Sequence, residues 1–125
     1  MDPERCPCGS GLTYAEDCGR LHDGAAVAAT AEQLMRSRYS AFAVGDAGYL
    51  LATWHPSTRP PALELDPTVR WTGLDVLATT AGGLLSAGGT VEFRAWYRHE
   101  GETGSQHEVS RFTRVDGAWR YLDGE

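Results

Sequence analysis

Thr30-Ala31-Glu32-Gln33-Leu34-Met35-Arg36-Ser37-Arg38-Tyr39-Ser40-Ala41-Phe42-Ala43-Val44-Gly45 decides how this chain folds. Thr30 followed three residues later by Gln33 is a capping box: a hydroxyl for an orphan amide and a glutamine that reaches back. Gly45 offers the left-handed residue on which helices stop. The stretch therefore predicts a helix from Thr30 to about Val44. At 100° per residue, Leu34, Met35, Tyr39, Ala41 and Phe42 share one face. Arg38 falls near the middle of that face, between Leu34 and Phe42, while Arg36 points elsewhere. A guanidinium so placed must be paired if buried, because an unpaired buried charge is very costly. Asp46, Glu108 and Asp123 are candidate partners for an ion pair tying helix to sheet. The functional alternative is an arginine floor for a carboxylate or phosphate ligand, which its planar fork suits.

Beyond Gly45, Asp46 is positioned to cap a second helix from Ala47 to about Trp54. His55-Pro56 ends it, since the residue before a proline disfavours helical geometry. Residues 56–68 hold Pro56, Pro60, Pro61 and Pro67 and predict a loop, with a short helical turn at Ala62–Leu65. From there the period becomes two. Val69–Thr80 predicts a strand, followed by a flexible connection from Ala81-Gly82-Gly83 to Gly88-Gly89. In the strand Thr90–His99, Val91, Phe93, Ala95 and Tyr97 face one way and Glu92, Arg94, Trp96 and Arg98 the other. A hairpin turn at Glu100–Gly104 leads to Ser105–Val115. Asp116-Gly117 is a type I′ turn signal, and Ala118–Asp123 is the last strand. Two helices followed by antiparallel strands imply an α+β fold. A strongly twisted sheet of this kind curls around the helices and leaves a pocket at one end.

Arg38, Trp54, His55, Trp71 and Glu108 are the candidate pocket residues. Trp54 and His55 close the second helix, where a rim would lie, and Trp71 would form a wall. His55 and Glu108 are the candidates for acid–base chemistry, histidine being the side chain best suited to proton transfer near neutral pH. On the third strand Glu108, Ser110 and Phe112 share a face, and His107, Val109 and Arg111 share the other. The pattern leaves open which of the two lines the pocket.

The N-terminal segment has a different chemistry. Cys6-Pro7-Cys8-Gly9-Ser10-Gly11, with Cys18 and His22 behind it, holds every cysteine in the chain. Gly9 and Gly11 allow the sharp return that brings two thiolates to one ion. Cys6, Cys8, Cys18 and His22 form a three-cysteine, one-histidine set of the structural zinc type, with Asp17 as a rival for the fourth position. A glycine-rich segment with little to build a core needs a staple, and a structural zinc ion provides one. The division expected is 1–24 for the metal-binding segment and 25–125 for the α+β domain.

A 125-residue chain with 42% hydrophobic residues, four Trp and five Tyr has the material for one core. Its net charge of −6 weighs against a generic grip on nucleic acid, which rests on Lys and Arg neutralising phosphates. The acidic, proline-containing start is not expected to act as a signal peptide. No apolar run approaches the ~20 residues of a membrane span. A cytoplasmic location and no membrane partner are the expectation.

Cys6-Pro7-Cys8-Gly9-Ser10-Gly11 with Tyr14 and Cys18 resembles the SEC-C zinc motif found at the tail of the SecA preprotein translocase ATPase. Leu34-Met35-Arg36-Ser37-Arg38-Tyr39, Ala41-Phe42, Asp46, Tyr49-Leu50 and Thr53-Trp54-His55-Pro56 resemble the YchJ-like family of uncharacterised bacterial proteins. Trp71, Gly73-Leu74, Ser110-Arg111-Phe112 and Trp119, Tyr121, Asp123-Gly124 fit it as well. The resemblance implies a nuclear transport factor 2-like cone, a curved antiparallel sheet wrapped on helices, after a zinc-knuckle-like segment. It matches Cys6, Cys8 and Cys18 to ligand positions, while Asp17 stands where that motif has a cysteine.

Three functions follow as expectations. The first is a zinc-binding interaction or adaptor module that presents the knuckle to a partner protein and holds a small ligand in the cone. The second is an enzyme of dehydratase or isomerase type, with Arg38 anchoring substrate and His55 or Glu108 as acid or base. The third, nucleic-acid or ribosome association, ranks last: Arg5 and Arg20 flank the knuckle, but so do Asp2, Glu4, Glu16, Asp17 and Asp23.

Overall fold

The computed structural model describes residues 4–124; residues 1–3 and 125 of the two-part division lie outside the described residues. The order is α1 (Cys18–His22), α2 (Ala31–Val44), α3 (Ala47–Ala52), then β1 (Val69–Ala81), β2 (Gly88–His99), β3 (Glu102–Val115) and β4 (Ala118–Gly124).

α2 starts and stops where its caps dictate. Thr30 Oγ1 accepts from the Gln33 amide at 3.1 Å, and Gln33 Oε1 accepts from the Ala29 amide, one residue outside the usual capping box. Gly45 sits at φ 81°, and the next amide returns to the Ala41 carbonyl. Asp46 caps α3 through the Tyr49 amide at 3.0 Å. α3 ends at Ala52, two residues short of the expected Trp54. Thr53, Trp54 and His55 pair instead with the last strand: Tyr121 donates to the Thr53 carbonyl at 2.8 Å, and His55 donates to the Tyr121 carbonyl at 2.7 Å. Long-range backbone pairing has replaced the final helical turn. The short turn expected at Ala62–Leu65 is absent; four residues after two prolines do not repay the cost of helix nucleation.

The strands form an antiparallel sheet in the order β1-β2-β3-β4. Two-residue turns at Glu100-Gly101 and Asp116-Gly117 place both central residues at positive φ, as a type I′ turn requires. The first is tighter than expected, so β3 begins at Glu102 and not at Ser105. Register shifts at Trp71/Gly73 and Val76/Ala78 in β1, and at Arg111/Phe112 in β3, mark bulges. Bulges bend a strand and increase its twist, and here they curl the sheet over α2. Val91 and Ala95 on β2 face inward as their alternation demands.

The core gathers Leu34, Met35 and Tyr39 from α2 with Val91, Ala95, Phe112 and Trp119 from the sheet. Cys6, Cys8 and Cys18 belong to the same cluster. The boundary expected after residue 24 falls in the loop between α1 and α2, yet buried packing runs across it.

Candidate metal centre and aromatic cup

The N-terminal segment folds on itself before it meets the rest of the chain. Arg5 bridges Thr13, the Cys6 amide donates to the Leu12 carbonyl at 2.9 Å, and Tyr14 donates back to Glu4 at 2.9 Å. This small loop turns through Gly9 and Gly11, at φ 80° and 90°. α1 then delivers Cys18 next to Asp17. The ligand atoms of Cys6, Cys8, Asp17 and Cys18 lie within 4.8 Å of one another, and each cysteine is at most 4% exposed.

Hydrogen bonds order the cluster. Cys8 Sγ donates to Asp17 Oδ2 at 3.2 Å, and the Ser10 hydroxyl donates to the same oxygen at 2.6 Å. Cys6 Sγ lies 3.5 Å from Ser40 Oγ, and Arg36 Nη1 donates to the Cys8 carbonyl at 2.8 Å, so the loop is tied to α2. Hydrogen bonds from Cys18 and then Cys8 hold the Cys6 thiol far below its ordinary value. Cys18, bonded to Cys6 and Cys8, is held far above it. One thiolate shared among crowded buried thiols is a poor arrangement that a divalent cation would relieve. Donors gathered within 4.8 Å, three of them thiols, are compatible with a metal ion.

His22 is a correction. Its Nε2 lies 2.8 Å from the Ser37 carbonyl, which can only accept, so that nitrogen carries the proton. Its Nδ1 then accepts from the Tyr14 hydroxyl at 2.6 Å. Both nitrogens are engaged in pinning α1 to α2, and the donor brought to the fourth corner is Asp17. Sequence spacing favoured His22 because a histidine four residues after a cysteine fits many zinc sites. It could not register that α1 turns the imidazole toward Ser37.

On its other face α2 contributes Met35, Arg38, Tyr39 and Phe42 to a cavity of about 220 Å³. Trp71, Phe93, Gln106, Glu108, Ser110 and Tyr121 are among its other walls. The β3 face carrying Glu108, Ser110 and Phe112 is therefore the one that lines the cup. Of the expected pocket residues, Arg38, Trp71 and Glu108 meet there. Trp54 does not line the cavity; its ring lies 5.2 Å from the Arg38 guanidinium carbon, with Tyr121 on the same group at 4.6 Å. His55 is a second correction. Its Nδ1 is taken up by the Ser57 amide and hydroxyl in the loop, because residues 53–55 leave the helix to pair with β4. Among the described residues no histidine lines the cup.

Arg38, 6% exposed, donates through Nη1 to the Leu50 carbonyl at 2.8 Å and to Thr53 Oγ1 at 2.7 Å. None of its expected acidic partners forms an ion pair with it. Asp46 caps α3, Asp123 pairs with Arg111, and Glu108 acts only at longer range. Burial lowers the Arg38 pKa to about 10, so it stays charged at neutral pH. Glu108 accepts from the Ser110 hydroxyl, and a methyl group on Gly124 would collide with its carboxylate. Burial, with the Glu108 charge adding to it, pushes the Tyr121 phenol up to about 12. The sequence reading missed Tyr121, Phe93 and Gln106 as cup residues. Phe93 and Tyr121 do share a face with buried Val91 and Trp119, a signal that pointed equally well to core.

A thiol knuckle seated on a cone of helices and curled antiparallel sheet defines the class: a nuclear transport factor 2-like domain with an N-terminal cysteine motif. The chain belongs to the YchJ family, with residues 30–124 matching the model described as "YchJ, middle NTF2-like domain". It is 61% identical over 125 residues to a UPF0225 protein of Streptomyces coelicolor, covering 100% of this chain and 98% of that one. A UPF0225 protein of Corynebacterium glutamicum is 53% identical over 122 residues, covering 98% and 97%. Among solved structures, a SEC-C motif-containing protein from Rhodopseudomonas palustris superposes with a TM-score of 0.84 at 38% identity, covering 96% of each chain. One from Psychrobacter arcticus gives 0.77 at 30% identity, covering 94% of this chain and 80% of that one. Among the described residues no helix is long and apolar enough to cross a membrane.

Proposed function

We propose that this chain is a zinc-stapled binding protein: Zn2+ held by Cys6, Cys8, Cys18 and Asp17 fixes the knuckle, and the cup behind it receives a small organic molecule. The observation that carries this reading is the convergence of a half-buried carboxylate on three buried thiols that belong to the same core that walls the cup. Four protein donors leave no open position, so the ion is structural. Leu12 stands 51% exposed on the knuckle, the surface on which a partner protein would read it. The dehydratase or isomerase alternative now rests on Glu108, the candidate acid or base that lines the cup.

Metal analysis of the purified chain tests the staple. One zinc per chain is expected, reduced by Asp17→Ala and unchanged by His22→Ala. A protein that holds no metal and gains none at equimolar zinc would overturn the staple. Thermal stabilisation by small organic probes, absent after Phe93→Trp fills the cavity, tests the cup.

A further inference from the structure

Arg38 enters the cup with donors to spare. A guanidinium carries five N–H groups. Nη1 serves the Leu50 carbonyl and Thr53, while Nε and Nη2 have no hydrogen-bond partner among the described residues. Nor are they sealed in apolar packing: among the described residues the fully sealed side-chain nitrogen without a partner is Trp54 Nε1. The free edge of a 94% buried cation (6% exposed) therefore meets the cavity. The two aromatic faces of Trp54 and Tyr121 and the two Nη1 bonds hold its plane, so the fork is oriented before any ligand arrives.

The rest of the cup restricts what that fork can take. Phe42, Trp71 and Phe93 offer apolar and aromatic surface. Glu108, held by Ser110, supplies one negative charge on the same wall, so a dianion such as a phosphate or a dicarboxylate meets repulsion. A volume of about 220 Å³ lies below the ~300–1,000 Å³ of drug-sized pockets, which suits a single ring or a branched chain. Building on the reading of the cup as a small-molecule site, we propose that it binds a monocarboxylate with one compact aromatic or branched apolar body. The carboxylate takes the Nε–Nη2 edge of Arg38 in fork geometry, and the body lies against Phe42, Trp71 and Phe93.

Benzoate, benzamide and benzylamine, three probes of one shape and different charge, test this on the full chain as purified. Binding is followed by calorimetry and by the NMR resonance of the Arg38 Nε–H. Benzoate is expected to bind at least about tenfold more tightly than either analogue, because benzamide brings the fork no charge and benzylamine brings it a second cation, and to shift the Arg38 resonance. Arg38→Met is expected to weaken benzoate by about the same factor and to abolish its preference over benzamide. The wild-type series stands whether or not that variant folds. Benzamide binding as tightly as benzoate would overturn the carboxylate assignment while supporting the cup as a small-molecule site. Binding by none of the three would overturn both. Benzoate binding that leaves the Arg38 resonance unmoved would overturn the assignment to this residue.

Discussion

The knuckle and the cup occupy two faces of α2 and are built on opposite principles. Arg36 and Ser40 turn toward the N-terminal segment and, with the Ser37 carbonyl, hold it by polar contacts to Cys8, Cys6 and His22. Met35, Arg38, Tyr39 and Phe42 turn toward the sheet and wall an aromatic cavity with a single buried charge. The knuckle is local, closed by residues 6–18, and has little apolar surface beyond its sulfurs. The cup is assembled from α2 and all of β1 to β4, residues far apart in the chain. It is the knuckle that needs an external partner to stay folded. The cup is supported by hydrophobic packing whether or not a ligand is present, whereas buried thiols without a cation gain little from one another.

The largest expected effect comes from removing the proposed zinc ion. A zinc ion present at a thousandfold excess over its dissociation constant stabilises by about 4 kcal/mol, so chelation should lower the thermal midpoint by several degrees or more. Because the cysteines share one core with the cup, tryptophan fluorescence should follow the same transition. Two separate transitions would show that the cup stands alone.

Leu34→Ala comes next. Leu34 is 2% exposed in the core between the two regions, and its truncation should cost about 2–5 kcal/mol in chemical denaturation. Zinc stoichiometry measured under native conditions should be retained in the folded fraction. Arg38→Met should cost less, about 1–3 kcal/mol, because the Leu50 carbonyl and Thr53 lose a buried donor while a desolvated charge is also removed. Its metal content should match wild type; a lost zinc would mean that the two faces of α2 are coupled through the helix. Tyr14→Phe should have the smallest effect, about 1 kcal/mol for the hydroxyl that His22 accepts from. Full zinc occupancy in that variant is expected, and a drop would return His22 to the metal.

Much of the frame was legible before any coordinates. Thr30 and Gly45 bounded α2, Asp46 started α3, and Asp116-Gly117 closed the last hairpin, because each acts through backbone groups within a few residues. The alternation of Val91, Phe93 and Ala95 named the inner face of β2 for the same reason. The cysteine cluster was legible from spacing alone, as three of its four donors show. The errors fall where a local rule met a distant partner. His55 lost its rim position when Trp54 bridged Tyr121, sixty-seven residues later in the chain (121 − 54 = 67). His22 fell outside the donor cluster when Ser37 and Tyr14 took its nitrogens.

By itself, the sequence determined the helices, the turns, the strand periodicity and the three thiols, all properties of neighbouring residues whose geometry is set by the backbone. Which face of β3 lines the cup, that Asp17 joins the thiols, and that no carboxylate among the described residues pairs with Arg38 were settled by tertiary packing. Those outcomes depend on how a bulged sheet curls over α2. That curvature is the sum of many weak packing choices, and no single stretch of the chain encodes it.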